Sequence, residues 1–374
     1  MDGETAELPV EQPVGELEEV VRFHGAMPTG VTVSHQGRIF VNFPKWGDDV
    51  QFTVAEIRDG EPVAYPDEGI NRTDPDDLAG TLVSVQSVVV DPSDRLWILD
   101  TGSPLFAPTE YGGPKLVCVD LTSNQVVKTI LFPQDIALPT SYLNDVRFDL
   151  RRGTEGIAYI TDSSDKGPNG IVMADLATGQ SWRQLHDHPS TKAEELKDFV
   201  PVVEGRPVNR KPDGSVGAAI AMGADGIAIG ADGTRLYYCP LASRRLYSVA
   251  TDALADRSLD DDAVAATVAF EGDRGGAADG LESDAAGYLY ATNYEHNAVL
   301  RRPADQPGAW ETVAQDPRLL WPDTLSVARD GCLYVTANQL HRQADYRQGE
   351  DQRVKPYVLF RIRIGAEPVL LRRK

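Results

Sequence analysis

Six polar residues recur at one place in a repeated pattern: Thr29, Gln86, Asn144, Asp225, Asp279 and Asp323. Each opens an alternating apolar run. Gathered at one point, three carboxylates and three neutral oxygen-bearing groups make an acidic, oxygen-only site. Carboxylates a few ångströms apart resist joint ionisation unless a cation compensates them. A hard divalent cation, Ca2+ first among them, takes six to eight oxygens from Asp, Asn, Gln and water, which suits a set without histidine or thiolate. The six together are the candidate metal site. An Asp-Gly step before a strand can also be only a turn device, but recurrence at one repeat position favours a shared site.

Tyr294, Glu295 and His296 in TNYEHNAV follow the fifth repeat. A histidine beside a carboxylate can move protons near neutral pH, so Asp279, Glu295 and His296 are the expected catalytic groups. Gln86, Tyr294, Trp321, Asn338 and His341 are the expected substrate contacts, with Trp321 and Trp46 able to stack on a flat ligand. Blander readings stand beside these. TNYEHNAV and TANQLHR can be solvated loops, and the tryptophans can be core. His186 and His188 in LHDHP have metal-like spacing but no third ligand nearby, which points to the surface. No GxSxG elbow, P-loop, dinucleotide fingerprint or HExxH offers a rival chemistry.

The elements that must position these residues form six copies of one phrase: TGVTVSHQGRIFV, QSVVVDPSDRLWIL, NDVRFDLRRGTEGIAYIT, DGIAIGADGTRLYYC, DGLESDAAGYLYAT and DTLSVARDGCLYVT. Each reads as two half-buried strands with alternating apolar positions and a Gly- or Asp-bearing turn. A third and fourth strand follow most copies, as in GPKLVCVDL and VVKTILF. Two successive hairpins make a four-stranded antiparallel blade. The expected fold is therefore all-β, a single six-bladed β-propeller spanning residues 1–374, with the run LEEVVRF closing the last blade. Residues 1–14 are expected to be flexible and 190–221 to form an inserted loop, with the best helical candidate at Thr191 to Phe199. A second loop is expected around Arg342 to Lys355.

The net charge of −21, from 57 acidic and 36 basic side chains, repels phosphate backbones and anionic lipid, so neither nucleic acid nor membrane is an expected partner. A small-molecule ligand is, with the chain a monomer or weak homo-oligomer. Cys118, Cys239 and Cys332 lie far apart in apolar runs and read as buried small hydrophobes. The N-terminal run has neither a basic nor an apolar leader segment. The expectation is cytoplasmic, with a secreted or periplasmic protein possible if a leader has been removed.

Several segments go beyond a generic propeller. GVTVSHQGRIFVNFPKWGDD, SDRLWILDTG, LNDVRFD, GIVMADLATGQSWR, LYYCPLASRRLYSV and LWPDTLSV with LYVTANQL resemble the Yellow / major royal jelly protein family, from about Gly30 to Gln339. The missing leader and unpaired cysteines depart from its secreted insect members and point to a microbial relative. The resemblance implies an architecture similar to gluconolactonase-type propellers, typically metal-dependent hydrolases. In those, a first-blade Glu and Asn and Asp residues at strand starts hold the metal. Asn144, Asp225 and Asp279 match such places; Thr29 stands where the Glu would be, and Asp323 is expected to supply the missing charge. The expected function is a metal-dependent enzyme acting on a small cyclic or carbonyl-bearing metabolite, as a lactonase-like hydrolase or an isomerase or tautomerase. The alternatives are a non-catalytic binder of aromatic amines or other small ligands and a scaffold for protein partners.

Overall fold

The computed structural model describes residues 12–195, 198–210 and 218–373. Alternation dictates its plan: strands with one face apolar must cover that face, and here each blade covers it with its neighbours. The inner strands of blades 1 to 6 are Val31–Val33, Val85–Val90, Leu143–Asp149, Ala224–Ile229, Leu281–Ser283 and Pro322–Val327. Each heads a four-stranded sheet in which sequence neighbours pair antiparallel. The ring closes as expected. Glu18–Phe23 is the outermost strand of blade 6, paired with Tyr357–Arg363 in the register Glu18 to Arg361 and Phe23 to Tyr357. Closure leaves no inner sheet edge to pair with another chain.

The core lies between blades. Trp97, Leu99 and Cys118 of blade 2 meet Val146, Phe148, Ala158 and Ile160 of blade 3; burying each large apolar side chain contributes about 1.5–3 kcal/mol. All three cysteines are buried and unbridged. The first hairpin turns adopt positive φ, at Gly233 (72°) and Gly287 (91°), while Asp94 (62°) takes that role in blade 2.

Departures from expectation sit at the ends and in the insertion. Residues 1–11 lie outside the described residues, but Val14 exchanges two backbone hydrogen bonds of 2.9 Å with Gln315, so the expected flexible segment is pinned before its end. Where a helix is expected from Thr191 to Phe199, the described residues show a short 3-10 turn at Pro189–Thr191, and residues 196 and 197 lie outside them. Two short strand pairs follow, Val202–Val203 with Arg206–Pro207 and Asn209–Arg210 with Ala218–Ala219. Two helices not anticipated, Thr251–Ala255 and Asp261–Ala265, lie in the connection between the last two strands of blade 4. No helix among the described residues is long and apolar enough to cross a membrane.

Candidate functional site

The ladder between the first two strands slips just where the axial residues stand. Register shifts fall between Val85 and Ser87, Leu143 and Val146, Ala224 and Ile227, and Pro322 and Leu325. Such bulges re-aim a side chain out of the pleat. Here they carry Gln86, Asn144, Asp225 and Asp323.

The Asp-Gly steps have a different cause from the turn they could have been. Neither Gly226 nor Gly280 has positive φ. A Cβ on Gly226 would stand 2.3 Å from the carbonyl oxygen of Asp279, and one on Gly280 2.3 Å from that of Asp323. Each glycine lets the next blade's axial backbone come close. The second strands lock the arrangement: Thr161 Oγ1 donates to the Asp225 carbonyl (2.6 Å), and Thr336 Oγ1 donates to the Thr29 carbonyl.

The result is a buried acidic cluster. Asn144 Nδ2 donates to Asp225 Oδ2 at 2.8 Å and to Ser163 Oγ at 2.9 Å. Trp321 Nε1 donates to Asp279 Oδ2 at 2.7 Å. Asn338 Nδ2 and Thr324 Oγ1 donate to the two oxygens of Asp323, at 2.6 and 3.0 Å. Burial raises all three carboxyls. Asp279 reaches about 6, held there against burial by the hydrogen bonds from Trp321 and Asp225. Asp225 goes well above the ordinary range, with the charges of Asp279 and Asp323 adding to burial. Asp323 does likewise, with Asp279 adding. Among the described residues no Lys or Arg ion pair reaches any of the three.

The donor chemistry would suit a hard cation; the arrangement does not. Four of the six carboxyl oxygens accept from Asn144, Trp321, Asn338 and Thr324. Among the described residues no three His, Cys, Asp or Glu side chains stand together as a group able to hold one ion. Thr29 Oγ1 accepts from Asn42 Nδ2 at 2.8 Å. A proton shared between close carboxyls satisfies this geometry better than an ion.

The expected catalytic partners of Asp279 are elsewhere. Glu295 accepts two hydrogen bonds from Arg244, both 2.7 Å, and one each from Ala277 N (2.8 Å) and Val202 N (2.9 Å). It anchors the insertion, and those bonds hold its carboxyl low against the opposing pull of burial. His296 is exposed and lines a shallow outer cleft with Asp273, Arg274 and Trp310. The pair is split because the chain leaves the strand there, and successive side chains take different directions. His186 is exposed, accepting from Arg183 at 3.0 Å, and His188 is bonded to Ser190 at 2.7 Å.

Of the expected substrate contacts, Tyr294 is core: it stacks on Trp321 at 4.0 Å and donates to the Leu241 carbonyl at 2.7 Å. Trp321 and Asn338 touch the axial carboxyls instead, and His341 stacks on the far face of Trp321 at 5.8 Å. Gln86 Oε1 accepts from Tyr142 OH at 3.0 Å, and Tyr142 OH accepts from Trp46 Nε1 at 2.8 Å. Tyr142 was not anticipated: it stands just before the inner strand Leu143–Asp149, beside the bulge that re-aims Asn144. It links the axis to a cavity of about 460 Å³ lined by Trp46, Leu105, Phe106, Met222, Leu340 and Tyr346, with Asp165, Asp345 and Asp351 at its polar side. Trp46 and Phe106 stack there at 5.5 Å. Leu105 and Phe106 hold φ of 53° and 56°, a conformation that costs non-glycine residues energy and tends to mark working sites.

Comparison with known proteins agrees with this architecture. The family model described as Major royal jelly protein matches residues 83–367. Protein yellow of Drosophila melanogaster is 29% identical over 259 residues, which is 66% of this chain and 45% of that protein. Its counterpart in Drosophila madeirensis is 28% identical over 259 residues, 66% and 43%. The match thus spans less than half the length of these relatives. Among solved structures, a luciferin-regenerating enzyme superposes with a TM-score of 0.57 at 12% identity, over 96% of this chain and all of that one. A calcium-binding regucalcin from Agrobacterium tumefaciens gives 0.57 at 15%, over 94% and 95%. A streptogramin B lyase gives 0.51 at 12%, over 93% and 98%. At such identities the likeness is one of fold.

Proposed function

We propose, from the premise that this chain belongs to the major royal jelly protein family, that it is an enzyme moving protons at the axial carboxyls of a small cyclic or carbonyl-bearing metabolite's binding site. Lactone hydrolysis and tautomerisation of a cyclic substrate are its two versions, since both need a group that takes a proton and another that returns one. The single observation that carries the reading is the set of three buried carboxyls, close enough to repel one another, with no basic partner among the described residues. Burial and mutual charge keep Asp225 and Asp323 protonated, which leaves Asp279 as the carboxyl of the three that ionises near pH 6. Asp279, ionised above about pH 6, is the base; Asp225, kept protonated by burial and by its neighbours' charge, is the acid. The aromatic cavity beside Tyr142 admits and orients the ring.

The test is turnover on a panel of lactones and enolisable cyclic ketones with the full chain and its Asp279→Asn variant. A loss of about 10²-fold or more is expected from removing a general base; undiminished turnover in the variant would end the proposal. Calorimetric binding of aromatic amines with no turnover of any probe would replace the enzyme by a binder. Turnover lost in EDTA and restored by Ca2+ would replace it by the metal-dependent version, with Asn144, Asp225, Asp279 and Asp323 opening to the ion.

A further inference from the structure

A chain of contacts runs from the insertion to Asp279 without touching the cavity. Glu204 stands at the tip of the hairpin Val202–Val203/Arg206–Pro207, at φ 52°. Its Oε2 meets His341 Nε2 at 2.8 Å and accepts from Arg342 Nε at 2.9 Å, while its Oε1 pairs with Arg342 Nη2. His341 is buried, and its Nδ1 has no hydrogen-bond partner among the described residues. Glu204 is thus the group that fixes the ring by hydrogen bonding. The ring lies 17° from parallel on Trp321, whose other face lies 8° from parallel on Tyr294. Trp321 is wholly buried and holds φ at 56°. Strain of this kind persists only where the surroundings over-determine it. What it achieves is an indole N–H aimed at Asp279.

We propose that Glu204 and His341 are positioning residues: Glu204 fixes the His341 ring, the ring fixes the Trp321 indole, and the indole N–H fixes the Asp279 carboxyl on the axis. The inference rests on the reading of Asp279 as the proton-moving group. Burial pushes His341 down to about 4, and the hydrogen bond from Arg342 pulls Glu204 down to about 2. At neutral pH a neutral imidazole then donates from Nε2 to a carboxylate. Glu295 supplies an internal control. It grips the same hairpin through Val202 N, 2.9 Å away, while the hydrogen bonds its side chain accepts among the described residues come from Arg244, Ala277 and Val202, none from His341 or Trp321.

The experiment reads the Trp321 indole N–H of the ¹⁵N-tryptophan-labelled full chain, assigned by its disappearance in Trp321→Phe. The buried bond to Asp279 should give a signal slow to exchange with solvent. In Glu204→Gln we expect exchange at least about tenfold faster and a moved resonance, the loss of roughly 1.4 kcal/mol of protection. His341→Phe, which keeps the stack and removes the hydrogen bond, should follow in the same direction. Glu295→Gln should lower the melting temperature and leave the signal in place. Unchanged exchange in both Glu204→Gln and His341→Phe overturns the proposal, and so does an equal change in Glu295→Gln, which would mean general loosening. Because the signal needs no substrate, the outcomes separate. A moved indole without turnover of any probe keeps the contact chain and removes the enzyme reading. Turnover with an unmoved indole does the reverse.

Discussion

The axis of this propeller carries acids at two levels, and the two are treated in opposite ways. At the upper level Asp225, Asp279 and Asp323 face one another with only amide, indole and hydroxyl donors around them. One step down the same inner strand of blade 3, Asp145 accepts from Ser87 Oγ at 2.6 Å and from Arg147 Nη1 at 2.9 Å. The same guanidinium donates to the Leu281 carbonyl at 2.8 Å and lies 3.4 Å from Glu282. One cation therefore serves two acids and ties blade 3 to blade 5. The lower level is a structural rivet, with both acids in reach of one guanidinium. The upper level keeps an unmatched acidity that the fold does not need, and that contrast is why the proposed function is placed there.

Breaking the rivet should produce the largest effect. Arg147→Met keeps most of the side-chain volume and leaves Asp145 and Glu282 buried without their cation. Removing one partner of a buried pair costs about 3–5 kcal/mol, so urea denaturation should show a loss of that size. A variant as stable as the parent would mean the lower level is no more structural than the upper.

The next effect comes from the spacing that brings the upper acids together. A methyl group on Gly226 must displace the Asp279 backbone, 2.3 Å away, and forced shifts of this kind cost about 1–3 kcal/mol. Gly226→Ala should lower stability by that amount and reduce turnover more than the stability loss explains. Turnover unaffected in a fully folded variant would show that the exact approach of the two carboxyls is immaterial.

The ring was legible because six copies of one phrase align, and their leading residues were legible as axial because alternation fixes which side chains share a face. LEEVVRF closed the last blade because an apolar alternating run at one terminus had no other partner. Other features lay beyond a linear reading. The bulges that aim Gln86, Asn144, Asp225 and Asp323 depend on pairing register, which no single strand encodes. Gly226 and Gly280 look like turn residues in the sequence, yet they serve contact with the following blade, a long-range fact. Glu295 and His296 read as a proton-moving pair because they adjoin in sequence, whereas the strand ends there and one anchors the insertion while the other meets solvent. Glu204, in VVEGRPV, falls in a stretch that reads only as an inserted loop; its partner His341 is more than a hundred residues away.

The sharpest test of the upper level is its dependence on pH. The carboxyl of Asp279 is raised by burial from 3.8 to about 6, so between those values the folded chain holds a proton that the unfolded chain has released. Stability must then fall as pH rises through this window, by at most about 1.4 kcal/mol per pH unit, and level off above it. Asp279→Asn keeps an oxygen to accept from Trp321 and removes the ionisation, together with the charge that presses on Asp225 and Asp323. Near pH 4, where the parent's carboxyl is already protonated, the two proteins should be equally stable. By pH 7 the variant should lead by about 2–3 kcal/mol, the kind of gain that follows when a site's function is given up. Parallel stability curves across that range would mean the upper carboxyl is as well compensated as the lower ones, and the distinction between the two levels would fall.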